Sequence, residues 1–503
     1  MKLTKMMIAV AALAGATSTF AAPDPAAVVR MSGASALRGN FAISLNALCT
    51  TAGGVMQEWI SGSNISTYVC TPAGGLTSGG TGTYSSTAAA SFIPFDATSG
   101  FVEVRLNVAG GSFTALQVLN GGTDRYLDPG VGTTVAVGGP VNVGVAGGTL
   151  ATEQGIGGFS DVNYEGFANN VLATVPGIDT AVSNNTSQQV GVAQGFGVAV
   201  SNALYGAMFT AQQTSGAIPA APTCLVTITS DPRCVPSIGK GQMGAIMSNN
   251  NFSAAKTAGA SFLASQLAAN TELRYVRRVD TSGTQASAQN YFLGIGNMGT
   301  PLGVFTDPSD RTNAAAVAVT SGCNTGDVRG PLATDNEVDT AFVTSGQINL
   351  CDKKQGNLRV LAAPGTGDVR NELNKATILG GATNYAIGVM SLENDQATYK
   401  DLAGVSQPTT WKWLRVQKAQ GADNAAPGAN TNRAAMIAGE YDFYYETWSY
   451  TKADIDAKND ALMTAVIGQL TGGAALKGLV VNGTGTNQSP YTRGGRTDTP
   501  SSR

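Results

Sequence analysis

The sequence predicts an α/β protein of two lobes, and three observations carry that expectation. The chain has 503 residues, more than one ordinary hydrophobic core accommodates. A strand-like run, a polar turn of small residues and an apolar-periodic helix follow one another over 28–48, 101–119 and 273–293. Stretches at 50–100, 120–156 and 305–355 read instead as Gly-rich or disulfide-bearing insertions between such units.

In chain order, 28–31 is a short buried strand, followed by Ser32-Gly33-Ala34-Ser35-Ala36 and a helix through Phe41, Leu45 and Leu48. Residues 101–108 alternate apolar and polar, the pattern of a half-buried strand, and lead through Gly110, Gly111 and Ser112 into a helix over 113–119. Gly157-Gly158-Phe159-Ser160-Asp161-Val162 follows the second insertion, and 190–200 is an apolar strand. A helix-like run lies near 254–267, and a strand containing Leu273 and Tyr275 enters a polar turn before a helix over 286–293. Beyond it the pattern predicts strands at 359–361 and 384–390, a helix at 371–379, a strand over 439–450 and a helix over 457–470. The tail from Asn482 is Gly, Ser, Thr and Arg, a composition expected to be disordered.

Composition narrows function. A formal charge of −3 with sparse charged residues offers no basic face for nucleic acid. The chain has no histidine, which removes Ser-His-Asp and Cys-His catalysis and the commonest metal ligand. No enzyme activity, cofactor or metal is expected. Residues 1–21 carry Lys2, Lys5, an apolar run over 6–16 and Thr19-Phe20-Ala21, and read as a secretory signal peptide without a lipid-anchoring cysteine. Six cysteines in an exported chain favour disulfides over zinc. Local loop closure would pair Cys49 with Cys70, Cys224 with Cys234 and Cys323 with Cys351.

The most informative stretch is Arg277-Arg278-Val279-Asp280-Thr281-Ser282-Gly283-Thr284. A strand, a Gly-containing turn and a helix start present free backbone N–H groups to an anion. Ser282 and Thr284 add hydroxyl donors and Arg278 a planar guanidinium. A capped helix after a turn would carry the same letters.

This stretch resembles the anion-binding turn of the phosphate-binding proteins that serve bacterial phosphate ABC transporters. The opening turn resembles the same family's first anion contact, with Ser35 at a hydroxyl position and Ala36 where an aromatic residue is usual. Ser112 resembles its serine at a helix start, Asp161 its proton-accepting aspartate, and 384–390 its returning strand. The resemblance implies a periplasmic-binding-protein-like fold with the ligand in a cleft between lobes. Lobe 1 would comprise 22–165 and 400–480, lobe 2 would comprise 166–399, and 481–503 would be tail. It implies phosphate held by Ser35, Ala36, Ser112, Asp161, Arg278, Ser282, Gly283 and Thr284, and an inner-membrane permease as partner. The alternative is an extracellular structural or surface-associated protein on the same fold, favoured by the insertions.

Overall fold

The computed structural model describes residues 27–51, 54–61, 64–72, 102–128, 144–145, 149–167, 175–228, 230–248, 271–294, 351–355, 358–363, 365–377, 382–394, 410–421, 433–472, 478–481, 491–492 and 501–502. The signal segment, the 254–267 run, most of 305–355 and Cys323 lie outside the described residues.

The strands are β1 (Ala27–Gly33), β2 (Gly54–Ser61), β3 (Ile65–Pro72), β4 (Val102–Asn107), β5 (Thr123–Asp128), β6 (Gly144–Val145), β7 (Thr149–Gln154), β8 (Gly157–Ser160), β9 (Thr186–Val200) and β10 (Ser237–Ile238). They continue as β11 (Leu273–Arg278), β12 (Cys351–Gln355), β13 (Leu358–Ala363), β14 (Tyr385–Ser391), β15 (Lys412–Trp413), β16 (Arg415–Val416), β17 (Tyr444–Thr451), β18 (Leu479–Val481), β19 (Tyr491–Thr492) and β20 (Ser501–Ser502). The α-helices are α1 (Arg38–Thr51), α2 (Phe113–Leu119), α3 (Ile178–Asn184), α4 (Asn202–Thr214), α5 (Lys240–Ser248), α6 (Gly283–Leu293), α7 (Thr366–Asn374), α8 (Arg433–Ile437) and α9 (Ala457–Gly472).

Among the described residues, a mixed 14-stranded sheet runs β12-β13-β11-β14-β9-β17-β8-β1-β4-β3-β2-β6, with β15 and β18 also pairing to β9. The fold is therefore mixed α/β around one large mixed sheet. Its halves share β9. Residues 186–195 of β9 pair with β17, and 196–200 pair with β14.

Strand direction then decides where the turns go. β8 is antiparallel to β17, β17 to β9, and β9 to β14, so β8 and β14 point oppositely. β1 and β4 run with β8, while β11 and β13 run with β14. The register brings the end of β8 (Ser160, beside Trp448, which pairs with Gln189) level with the lower part of β9. The end of β14 (Ser391) pairs higher up, with Phe196. The two sets of C-terminal strand ends thus face each other along β9. The residues between these levels would span about 20 Å at ordinary strand rise.

Packing follows the alternation on one face only. Val29, Met31, Val104, Leu106 and Tyr68 meet Phe41, Leu45 and Leu48 of α1, with Leu462, Val466 and Leu470 of α9. The alternation of β4 predicts that its other face meets water, and here the structure differs. Glu103, Arg105 and Asn107 are all buried, beneath the β5–β7 hairpin. Arg105 is held by Glu103 at 2.8 Å and Glu153 at 3.3 Å, so these buried charges are paired. Residues 54–72, read as part of an insertion, instead supply main-sheet strands β2 and β3.

Two boundaries move for identifiable reasons. The helix expected over 371–379 is α7, which starts at Thr366 because Asp368 accepts the Gly365 N–H at 2.8 Å and caps it. It ends at Asn374, where Asn384 Nδ2 donates to the carbonyls of Glu372 (2.8 Å) and Lys375 (3.0 Å). The strand expected from 439 starts only at Tyr444. Glu440 and Tyr441 both donate to Ala435 O, at 2.8 and 3.0 Å, and Gly439 has φ 73°, which keeps this segment a turn.

Disulfides join Cys49 to Cys70 and Cys224 to Cys234, with Cα atoms 5.6 and 5.2 Å apart. They fit an oxidising compartment outside the cytoplasm. No helix among the described residues is long and apolar enough to cross a membrane.

Candidate functional site at the facing strand ends

From the first half of the sheet, β4 leads into Gly110-Gly111-Ser112 and α2. Gly111 has φ +75°, and a Cβ there would stand 2.8 Å from Thr281 O and 2.9 Å from Ser282 Cα. Only glycine lets this turn touch the turn that arrives from β11. Phe113 N–H completes the contact by donating to Thr281 O at 2.9 Å. Ser112 stands at the N-cap position of α2 but makes no cap hydrogen bond. Its hydroxyl donates instead to Asp161 Oδ2 at 3.1 Å.

Asp161 follows β8 and is 1% exposed. Its second oxygen, Oδ1, is buried with no hydrogen-bond partner. Burial pushes the carboxyl up to about 6, against the opposing pull of the Ser112 hydroxyl and the Arg278 guanidinium.

From the other half, β11 is buried along its whole length between β13 and β14. Its arginines survive there because each has partners. Arg274 bonds Glu372 Oε1 at 2.5 Å, and Arg277 pairs with Asp280. Arg278 closes the strand. Its Nε donates to Ala363 O at 3.2 Å and its Nη1 to Thr366 Oγ1 at 2.8 Å, so the β13–α7 side fixes the guanidinium. Burial lowers Arg278 to about 10, with Asp368, Asp161 and Glu393 opposing the fall.

The turn after Arg278 is set by Val279 N–H donating to Ala363 O at 3.1 Å and Ser282 N–H donating to Val279 O at 3.0 Å. Ser282 takes the N-cap position of α6 in extended conformation, yet its hydroxyl makes no cap hydrogen bond. Gly283 opens the helix. A Cβ on it would lie 2.8 Å from Asp161 Cβ and closer still to Ser112 Oγ. Thr284 is fully buried, and its hydroxyl, like Asp161 Oδ1, has no hydrogen-bond partner.

Of the eight residues named from the sequence, the structure brings Ser112, Asp161 and Gly283 into direct proximity. Ser282 and Thr284 flank Gly283, and Arg278 acts on Asp161 electrostatically. Ser35 and Ala36 start the 3₁₀ turn after β1, at the same sheet edge, where Ala34 N–H donates to Phe159 O at 2.8 Å. No hydrogen bond links the Ser35 side chain to the rest of the group.

Three neighbours escaped the sequence reading. Thr366 orients Arg278, and Asp368 faces it from the start of α7. Glu393, just past β14, accepts from Ser391 Oγ at 2.6 Å and Gln194 Nε2 at 3.3 Å. Burial pushes Glu393 up to about 8, helped by Asp161 and opposed by Arg370. The adjacent Ser-Leu-Glu-Asn letters carry no periodic or turn signal that would have singled out Glu393.

The arrangement combines one buried arginine, a helix N-terminus without a side-chain cap, an orphaned hydroxyl and an orphaned carboxylate oxygen. Donors of this kind suit an anion, and the carboxylate suits an anion that carries a proton. Among the described residues no cluster of Cys, Asp and Glu is arranged to hold a metal.

No protein-family profile matches the chain, and no curated protein matches it. Among solved structures, it is similar to the crystal structure of an ABC-type phosphate transport receptor from Vibrio cholerae. The likeness has a TM-score of 0.32 and 8% sequence identity, and covers 87% of this chain and 93% of that one. So distant a likeness identifies no ligand.

Proposed function

We propose that the protein binds inorganic phosphate between the facing strand ends, without chemistry. In this reading it is an exported solute-binding protein that hands the anion to a membrane ABC permease. The single observation that carries the binding reading is the pair of buried, partnerless atoms Asp161 Oδ1 and Thr284 Oγ1, on opposite sides of the junction. Other buried side-chain atoms in the structure also have no protein partner; these two are set apart by lying at one junction with the start of α6 and the charge of Arg278. Phosphate in its protonated forms supplies both partners, since it donates its O–H to Asp161 and accepts from Thr284. The opening N–H groups of α6 and the charge of Arg278 balance the remaining negative oxygens.

The division into lobes of 22–165 with 400–480, and 166–399, needs adjusting to the pairing: β15 and β16 lie with the second half, at Ala199–Val200 and β10, and residues 186–195 pair with β17 of the first. Closure about β9 and β17 would expel water from the anion, where its interactions are strongest. The permease step rests on the sequence resemblance at 277–284 and 157–161. Calorimetric titration of ligand-free protein with phosphate and with sulfate at pH 8 tests the binding reading. Saturable phosphate binding with sulfate far weaker is expected, because sulfate has no proton for Asp161 and a site built for a donor rejects an analogue lacking it by about 10⁴-fold. Heatless titrations with both anions would leave the surface-protein alternative in its place.

A further inference from the structure

We infer that the β5–β7 hairpin is a positioning clamp for the anion site, acting through Asn107 and Asp124 on the turn that carries Ser112. The inference rests on the phosphate reading above and gives the segment between α2 and β8 a role in it. The hairpin stands outside the 14-stranded sheet and covers the polar face of β1 and β4. Its far end is already secured without Asp124. There Leu127 packs on Trp59 and Val69 and Thr67 donates to Leu127 O, while Glu153, opposite Asp124 in the hairpin, pairs with Arg105 and Arg30.

The end nearest the site is built differently. Asn107, the last residue of β4, donates from Nδ2 to Asp124 Oδ1 at 2.8 Å and to Arg125 O at 2.9 Å. Its Oδ1 accepts the Ala109 N–H at 2.9 Å. The amide is therefore engaged from both ends, and its orientation fixes the first residues of the Ala109–Ser112 turn. The other oxygen of Asp124 accepts from Ser32 Oγ at 2.6 Å, and that hydroxyl also shares a 2.8 Å hydrogen bond with Tyr126 Oη. Ser32 pairs with Asn107 in the sheet and precedes the turn that bears Ser35.

One half-buried carboxylate thus ties down the ends of two neighbouring strands, and the turns after those strands carry Ser112 and Ser35. The tolerance at the junction is small: Gly111 is pressed on Ser282, and Ser112 must reach Asp161 at 3.1 Å. A site of this kind works only if its groups are held to within about half an ångström. Asn107 and Asp124 touch no ligand in this scheme; they are positioning residues.

The test uses the mature protein with Asn107→Ala and, as a milder variant, Asp124→Asn, which keeps one acceptor oxygen. In ligand-free protein, hydrogen exchange by mass spectrometry should speed up in peptides covering 108–116 while the β9 and β11 peptides keep wild-type protection. Unchanged exchange at 108–116 in both variants would overturn the clamp, whether or not phosphate is the ligand. Phosphate titration should show affinity falling about tenfold in Asn107→Ala, the scale of a lost buried hydrogen-bond partner. The loss should be smaller in Asp124→Asn. The effect should also be non-additive with Ser112→Ala, since both act through one hydroxyl. Fully additive losses, or wild-type affinity alongside faster exchange, would reduce the hairpin to a structural cover. A wild type that binds no phosphate would sink the functional reading alone, because the exchange result stands apart from it.

Discussion

Replacing Asp161 with Asn separates the cost of the site from its use. In the ligand-free protein this carboxyl is buried, has one oxygen without a partner and is pushed from its ordinary 3.8 up to about 6. Folding therefore strengthens its hold on a proton, so its contribution to stability is fully present below 3.8, is lost as pH rises toward 6, and is absent above. A shift of that size corresponds to about 3 kcal/mol against the folded state at pH 8, to order of magnitude. Asparagine keeps the shape and an acceptor for Ser112 but has no charge to bury. The variant should thus match the wild type near pH 4 and exceed it by about 2–3 kcal/mol at pH 8. At the same time it should lose preference for phosphate over sulfate, because an amide can donate to either anion. Denaturant midpoints of ligand-free protein across this pH range, paired with competition titrations, give both numbers. An Asp161→Asn protein less stable than wild type at pH 8 would refute the reasoning, and would make Asp161 a structural partner of the Ser112 turn.

Other outcomes follow from the same geometry. Gly283→Ala gains up to about 1 kcal/mol of helix propensity, yet its Cβ collides with Ser112 and Asp161; calorimetry should show phosphate affinity lost by about a hundredfold or more, as for misplaced positioning groups. Glu393, pushed up to about 8 by burial, adds a second negative charge near Asp161 as pH rises past that value. Phosphate affinity should decline on the alkaline side, and Glu393→Gln should remove that decline in titrations between pH 7 and 9.5. Cys49→Ser with Cys70→Ser opens a link between α1 and β3 and should lower stability by about 2–4 kcal/mol, read as a denaturant midpoint, with phosphate affinity nearly unchanged.

Much of the frame was legible because single strands advertise themselves. β1, β4, β9, β11, β13 and β14 all fall on runs whose apolar content or alternation marks them. The turn at 277–284 was legible for a local reason also: Ser-Gly-Thr after a strand and before a helix needs no distant information. What the letters could not report is what covers a face or which ends meet. The polar side of β4 reads as solvent-facing because alternation records side-chain character, and Glu103, Arg105 and Asn107 are buried only because the hairpin strands 123–128 and 149–154 cover them. The buried Arg274 reads as a surface charge until Glu372, far along the chain, is placed 2.5 Å from it. Thr366 and Glu393 escaped for the same reason, since each matters only beside Arg278 or Asp161.

That dependence also explains why the candidate site lies where it does. A parallel sheet alone presents all its helix starts along one edge and can approach an anion from one side. Here β9 is long enough for β17, which in turn pairs with β8, to pair along its first part and β14 along its last part, with three antiparallel steps between β8 and β14. Reversal of direction makes the two edges face each other, so Ser112 and Asp161 arrive from one side and Gly283 and Thr284 from the other. The partial positive charge at the start of α6 then meets a carboxylate that it cannot fully satisfy, and the carboxylate meets a glycine where any larger side chain would block the approach. Neither half has a complete set of donors and acceptors by itself. In the proposed reading an anion bearing a proton would complete both, and its binding energy would then be available to hold the two halves together.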